Sequence, residues 1–311
     1  MAEGPLAPHP VIFDRALVRR RRRRAQALQP ATFLLDRVAD DLAERLAAVL
    51  RRFDLALDLG TPGDAVRVVL ARLGSIGTIV TANAVIDPNA ASAAAAEKRV
   101  IADEEALPFR DGSLDLVVSA LALQFVNDLP GVLVQIRRAL KPDGLFLAAL
   151  LGGETLTELR QSFAAAESEI EGGASPRVAP FAELRDLGGL LQRAGFALPV
   201  ADADRLTVRY DSAFALMDDL RRMGATNALN DRRRTPLRRA TLLRMAEIYA
   251  QRFADPDGRL RATFEILWLS GWAPHPSQQQ PLKPGSAQTR LADALGTAEM
   301  SAGEKAGRAK K

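Results

Sequence analysis

The segment Ser113–Leu151 reads SLDLVVSALALQFVNDLPGVLVQIRRALKPDGLFLAALL, and its reading decides the fold. Leu114–Val118 is a short apolar run rich in β-branched residues, the pattern of a buried strand. Ser119–Asp128 reads as a loop with a partly apolar turn. Pro130–Leu140 carries Val132, Leu133, Ile136 and Leu140 on one helix face, and Pro130 suits a first helical turn, where its missing N–H is not needed. Lys141-Pro142-Asp143-Gly144 is expected to stop that helix, and Leu145–Leu151 to form a second apolar strand. Strand, loop, helix, turn and strand make a parallel crossover, right-handed by default. The loop after the first strand then opens at the carboxyl end of the sheet, where open α/β sheets bind ligands.

Upstream, Asp54–Leu59 is a strand, Gly60-Thr61-Pro62-Gly63-Asp64 a tight turn and Ala65–Leu73 a helix. Such a unit can hold a ligand at a helix N-terminus. Asp58, at the strand end, is placed to accept hydrogen bonds from a ligand amine or from the turn amides. Pro62 and Asp64 stand where a nucleotide-binding loop has glycines, so an ordinary βα turn is the competing reading. Gly77–Thr81 is a second strand; where an acidic side chain would grip a ribose, the sequence offers only Thr81 and Asn83. Asn89–Lys98 reads as a short Ala-rich helix and Arg99–Ala102 as a third strand. Asp103–Phe109, DEEALPF, is an acidic loop with an apolar anchor. Adjacent side chains of an extended segment point to opposite sides, so Asp103 alone is expected to bind a ligand, without a catalytic partner in Glu104.

Toward the C-terminus, Thr155–Ile170 and Phe181–Ala194 read as helices, Leu198–Tyr210 as a strand, Ser212–Met223 and Thr241–Phe253 as helices, and Arg261–Trp272 as the last strand. Pro274–Lys311 lacks periodicity and reads as a mostly disordered tail. Toward the N-terminus, Thr32–Arg52 is an amphipathic helix. Val11–Gln29 is a helix carrying six consecutive arginines, Arg19–Arg24. The run reads as an anion-binding arm for an acidic carrier, RNA or anionic lipid, or as a solvated helix covering a site entrance; its unbroken charge makes a poor amphipathic transit peptide. Asn230–Arg239 is a second arginine-rich segment. Four or five parallel strands alternating with helices, then two more strands around added helices, argue one doubly wound α/β domain. A dehydrogenase of that fold is disfavoured by the absent G-x-G-x-x-G.

Composition narrows the chemistry. The 311 residues include no cysteine, which excludes disulfides, thiolate metal sites and cysteine nucleophiles, and fits a reducing compartment. A formal charge of +4 is too small for an argument from overall charge, so specific nucleic-acid binding is not expected, and membrane association is at most peripheral. No apolar run approaches the roughly 20 residues of a membrane span. His9 and His275 are the only histidines, one at each end, so a metal triad of two histidines and a carboxylate is not expected.

The LDLG turn at Leu57–Gly60, the DEEALPF loop, Ser113–Pro130 and LKPDG at Leu140–Gly144 resemble the class I S-adenosylmethionine-dependent methyltransferases, and among them the malonyl-carrier-protein methyltransferases of biotin synthesis. LGGETLTELR at Leu151–Arg160, EGGASPRVAPF at Glu171–Phe181 and DLGGLLQRAGF at Asp186–Phe196 resemble more narrowly the complex I assembly factors that hydroxylate an arginine of a complex I subunit. That likeness runs from about Phe13-Asp14-Arg15 to Gly285-Ser286-Ala287. It implies that Asp58, Gly60 and Gly63 belong to the methionine-binding turn of S-adenosylmethionine, that Asp103 and Glu104 belong to the adenine loop, and that Ser119, Ala120 and Leu121 lie beneath the methionine part. The sequence departs from the family at Pro62, at Asp64, at the missing ribose acid and at Gln124-Phe125, where a histidine and a tryptophan are common.

The expected architecture is a seven-stranded, doubly wound, methyltransferase-like sheet, mostly parallel with the last strand antiparallel, with helical N- and C-terminal additions. The expected division is a basic arm at 1–29, a methyltransferase-like domain at 30–273 with a helical insertion about 211–258, and a tail at 274–311. The expected function is an S-adenosylmethionine-dependent, methyltransferase-like protein acting on a protein partner in complex I assembly. Arginine hydroxylase, malonyl-carrier-protein O-methyltransferase and non-catalytic scaffold with a degenerate pocket are the alternatives. The expected partner is a complex I subunit, or an acyl-carrier protein, docking near Arg19–Arg24 and Asn230–Arg239. The expected place is the cytoplasm, or the mitochondrial matrix if the source is eukaryotic. No catalytic residue stands out.

Overall fold

The computed structural model describes residues 11–85, 98–279, 286 and 289–298. The described residues up to His275 form one compact unit and those from Pro276 onward a second. In chain order the first holds α1 (Arg15–Ala27), α2 (Phe33–Ala47), β1 (Phe53–Leu59), α3 (Ala65–Arg72), β2 (Ile76–Asn83), β3 (Lys98–Ile101), β4 (Leu114–Ala120), α4 (Leu129–Ala139), β5 (Leu140–Leu151), α5 (Thr157–Glu171), α6 (Leu184–Arg193), β6 (Ala197–Tyr210), α7 (Ala213–Arg222), α8 (Arg239–Phe253) and β7 (Leu260–Trp272). The second holds the short helix α9 (Leu291–Leu295) among its described residues. The expected Ala-rich helix at Asn89–Lys98, apart from Lys98, which opens β3, and most of the expected tail lie outside the described residues.

The sheet has seven strands in the order β3-β2-β1-β4-β5-β7-β6. The first five run parallel, and β7 is antiparallel to both β5 and β6, as the sequence predicts for the last strand. The order reverses between β1 and β4, so their carboxyl ends form the crevice in which such sheets bind ligands. Leu116–Val118 of β4 and Leu145–Leu151 of β5 are unbroken apolar runs because helices cover both faces of the sheet. On one face, Leu34, Val38, Leu42 and Leu46 of α2 join Met245 and Ile248 of α8 over Phe264 and Trp268. On the other, Val132, Leu133 and Ile136 of α4 meet Leu187 and Leu191 of α6 over Leu57, Phe146 and Leu267.

Two local expectations change. Lys141–Gly144 is no separate turn but the start of β5: Leu114 pairs with Leu140 and Leu116 with Leu145, so the surplus residues bulge out of the ladder. The helix expected over Thr32–Arg52 ends at Ala47, because Val49 and Arg51 turn the chain into β1.

The N-terminal helix is tied down. Asp14 caps α1 by accepting the Leu17 N–H at 2.9 Å. Phe13 forms an antiparallel bridge with Leu229 and packs with Leu17, Val18, Phe125 and Ala228. Gly224, at φ +71°, allows close contact with α7: an added Cβ would meet the Arg22 Cα at 3.1 Å.

Candidate functional site

The site is built on the turn after β1. Gly60 has φ +71° and its N–H donates to the Ala82 carbonyl at 2.8 Å, which ties the turn to β2. The buried Thr61 hydroxyl accepts the Ala120 N–H at 3.0 Å, and the Ser119 hydroxyl donates to the Leu59 carbonyl at 2.7 Å. These two bonds fix the turn to the end of β4. Asn83, with its amide nitrogen toward the turn, donates to the Gly60 and Thr61 carbonyls, each at 3.2 Å. The residue standing where a ribose acid was sought therefore braces the turn.

Asp58 is fully buried, and neither carboxylate oxygen has a hydrogen-bond partner. Burial pushes its carboxyl up to about 7; the nearby Thr61 hydroxyl and Arg67 oppose that, and Asp64 adds to it. A buried carboxylate without a partner is costly, and a ligand ammonium or hydroxyl would relieve it.

The acidic loop departs from the sequence expectation. Asp103–Ala106 is a tight turn closed by the Ala106 N–H on the Asp103 carbonyl at 3.0 Å, not an extended segment. In a turn, adjacent side chains can converge, and Asp103 and Glu104 both take Arg15. Asp103 lies 2.7 Å from Arg15 Nη2 and also pairs with Arg19. Glu104, 1% exposed, pairs with Arg15 and lies 2.9 Å from Arg22 Nη1. Burial pushes the Asp103 carboxyl up, but the Glu105 N–H and the Arg15 and Arg19 guanidinium groups outweigh it and hold it below its ordinary value. The arginine run is thus partly spent on this loop, and Arg19 and Arg22 are not free to dock a partner.

A cavity of about 790 Å³ lies over the turn, within the range of roughly 300–1,000 Å³ usual for small-ligand sites. Of the residues singled out in the sequence, Gly60, Gly63 and Leu121 line it. Asp58, Asp103, Glu104, Ser119 and Ala120 are not among its lining residues; they form the layer behind it. Three further groups line it that the sequence reading named without placing them among the binding residues. Thr81, 4% exposed, has an unpartnered hydroxyl. Gln124 donates its Nε2 to the Leu121 carbonyl at 2.9 Å, which leaves a buried Oε1 without a partner. Arg22 closes the cavity from α1, its guanidinium 5.9 Å from the Phe125 ring centre. The signal for Arg22 was present in the spacing Arg15, Arg19, Arg22, which is one helix face. Leu121 itself has φ 51°, a strained position for a leucine at the end of a strand.

The donor set fits S-adenosylmethionine: a buried unsatisfied carboxylate, a glycine turn at positive φ and a cavity with polar groups at the end of β2. Among the described residues no three His, Asp or Glu side chains come together to hold a metal, and no helix is long and apolar enough to cross a membrane.

Residues 57–148 match the family described as "Methyltransferase domain". Solved structures share the fold: the BH2331 protein from Bacillus halodurans at 17% identity, TM-score 0.52, covering 76% of this chain and 98% of that one, and the YcgJ protein from Bacillus subtilis at 14% identity, with the same TM-score and coverage. The malonyl-[acyl-carrier protein] O-methyltransferase of Xylella fastidiosa is 40% identical over 175 residues, 56% of this chain and 57% of its own length. The mitochondrial arginine-hydroxylase NDUFAF5 of Danio rerio is 40% identical over 290 residues, 91% of this chain and 89% of its own length. Its Homo sapiens counterpart is 41% identical over 281 residues, 89% of this chain and 81% of its own length. Because this likeness extends well beyond the methyltransferase core on both sides, the chain belongs to the family of the arginine-hydroxylase NDUFAF5, within the class I S-adenosylmethionine-dependent methyltransferase superfamily.

Proposed function

We propose that this chain binds S-adenosylmethionine between the β1 turn and the end of β2, and acts on an arginyl side chain of a protein partner in respiratory complex I assembly. The observation that carries the reading is the 40% identity to an arginine hydroxylase across about nine-tenths of both chains. The relatives named as malonyl-carrier-protein methyltransferases match little more than half of this chain. An acyl-carrier protein is therefore the weaker choice of partner. The place of action follows the source: the matrix in a mitochondrion, the cytoplasm in a bacterium.

The Gly60–Gly63 turn would hold the amino-acid end of the cofactor, with the Asp58 carboxylate behind the turn as counter-charge to its ammonium group, and Thr81 and Asn83 would face its ribose. When bound, S-adenosylmethionine supplies a sulfonium and an electrophilic methyl group. The chain's own residues bind, orient and exclude water: Arg22 and Phe125 close the cavity, and Gln124 offers a buried acceptor to a substrate N–H. Such positioning can account for a large part of a rate enhancement.

Hydroxylation is the reaction for which the full-length relatives are named, and it is the first reading. It replaces a C–H bond of the arginine by C–OH, with one oxygen atom from dioxygen, two electrons from an external reductant and two protons, the second oxygen atom leaving as water. Methyl transfer is the second reading, favoured by the cofactor cavity and its unpaired Gln124 acceptor. Intact-mass analysis of complex I subunits incubated with the purified protein, S-adenosylmethionine, air and a reductant separates them. A gain of one oxygen supports the first reading, a gain of one CH₂ the second. Complex I assembly rescued by an Asp58→Ala variant, with no mass change in any subunit, would leave a scaffold.

A further inference from the structure

The run Arg19–Arg24 divides by helical phase. Arg19 and Arg22, with Arg15, turn toward Asp103 and Glu104. Arg20, Arg21, Arg23 and Arg24 fall on the remaining faces of α1, and among the described residues none has a carboxylate within ion-pairing distance. Arg21 is half-buried, and its Nη1 is shielded from solvent without a hydrogen-bond partner. Burial pushes its guanidinium below the ordinary value, the Arg232, Arg20 and Arg24 guanidinium groups push it the same way, and the Asp14 carboxylate opposes them without cancelling them. Arg232 is brought there from more than two hundred residues away. It pairs with Asp14 at 3.2 Å, and its neighbour Asn230 bonds to the Val11 carbonyl at 2.7 Å and to the Ile12 carbonyl at 2.9 Å.

Three guanidinium groups of α1, those of Arg20, Arg21 and Arg24, are thus held beside Arg232, whose charge Asp14 already meets in part, and a buried donor on Arg21 stays unspent. Like charges so arranged repel, and a counter-charge from outside the chain would relieve them. The apolar neighbours say what kind. Val11 is 65% exposed and Ile12 38%, on the strand-like segment that Asn230 holds. A surface of arginine beside exposed aliphatic side chains suits a protein segment with carboxylates and apolar residues better than a phosphate backbone. The same helix lines the cavity through Arg22, Ala25 and Gln26. A protein whose arginyl side chain enters that cavity must rest its flanking residues beside it.

Resting on the reading of the chain as a protein-directed enzyme, we propose that Arg20, Arg21, Arg24 and Arg232, with Val11 and Ile12, form the docking surface for an acidic segment of the protein partner. Arg19 and Arg22, which the sequence suggested for this task, instead hold the arm on the acidic loop.

The test uses the full chain and a fluorescein-labelled peptide of glutamate interspersed with leucine, read by anisotropy at rising salt. The wild type is expected to bind, with affinity falling as salt rises. Arg20→Gln/Arg21→Gln/Arg24→Gln breaks no ion pair with a described residue, so it keeps its fold; it is expected to bind about tenfold more weakly at low salt. Arg232→Gln is expected to lose about threefold, and the remote Arg259→Gln nothing. No binding by the wild type, or equal binding by the triple variant, overturns the proposal. So does tighter binding of a single-stranded oligonucleotide or of anionic vesicles at the same ionic strength. A thermal-shift titration with S-adenosylmethionine on the same samples is independent: its failure in the wild type would count against the cofactor reading while the peptide result stood.

Discussion

Arg22 Nη1 lies 2.9 Å from the Glu104 carboxylate, and through this pair the N-terminal helix closes on the turn that follows β1. Gly60 makes the closure possible, because any side chain there would strike Glu104. The cavity is therefore enclosed by an element that lies outside the matched methyltransferase residues 57–148.

Glu104→Ala should destabilise the protein and loosen α1. It strands Arg22, only 12% exposed at the side chain, and leaves Arg15 with Asp103 as its one carboxylate; breaking such a buried pair costs about 3 kcal/mol. Urea unfolding gives the loss in stability. Amide exchange should rise in Arg15–Ala27 and stay unchanged in β4 and β5. An unaltered midpoint with unaltered exchange would show that the ion pairs do not hold the arm.

Asp58 makes stability depend on pH. Its folded value is raised to about 7 from an ordinary 3.8, so its favourable contribution is complete below the ordinary value and is lost as the pH rises toward 7. The loss is on the order of 4 kcal/mol. Asp58→Asn should remove that dependence and melt higher than the wild type at pH 8, while at pH 4 the two should be close. Parallel melting curves for the two proteins between pH 4 and pH 8 would contradict a partnerless buried carboxylate.

Gly60→Ala should cost about 2 kcal/mol or more, since alanine at positive φ is strained. Its Cβ would also lie 2.7 Å from the Glu104 Cγ. Gly63→Ala makes the comparison: its φ is +76°, but nothing lies within 4 Å of an added Cβ, so only the backbone cost applies. Thermal melts of the two variants should rank Gly60→Ala below Gly63→Ala; the reverse order would refute the contact.

The crossover at Ser113–Leu151 was legible because its apolar periods change where the elements change. The late strand Leu260–Trp272 was legible for the same reason. The six arginines were legible only in part: the spacing Arg15, Arg19, Arg22 marks one helix face, but nothing in the run tells that this face meets Asp103 and Glu104 or that Arg232 is brought near Arg21. The convergence of Asp103 and Glu104 was missed because one hydrogen bond, from Ala106 to Asp103, turns the chain. Thr61 and Ser119 brace the site through bonds to backbone about sixty residues away, which no local pattern encodes. Gln124 was noted only as a departure from the family; its unpaired oxygen depends on the side chain folding back on Leu121.

Gln124→Leu keeps the bulk but removes the buried acceptor. It should lower modification of the partner's arginine about tenfold and leave the S-adenosylmethionine affinity within about twofold, as for one lost hydrogen bond to a charged group. Steady-state turnover and a binding titration on the same variant check the two halves. Equal loss in both would place Gln124 in cofactor binding instead.

The most direct test of the central claim is calorimetric titration of the full chain with S-adenosylmethionine, wild type against Asp58→Ala. Saturable heat is expected for the wild type, one site per chain, with at least a tenfold weaker response in the variant, the size of a lost charge-assisted bond. No heat from the wild type at millimolar cofactor, or equal affinity in the two proteins, would contradict it.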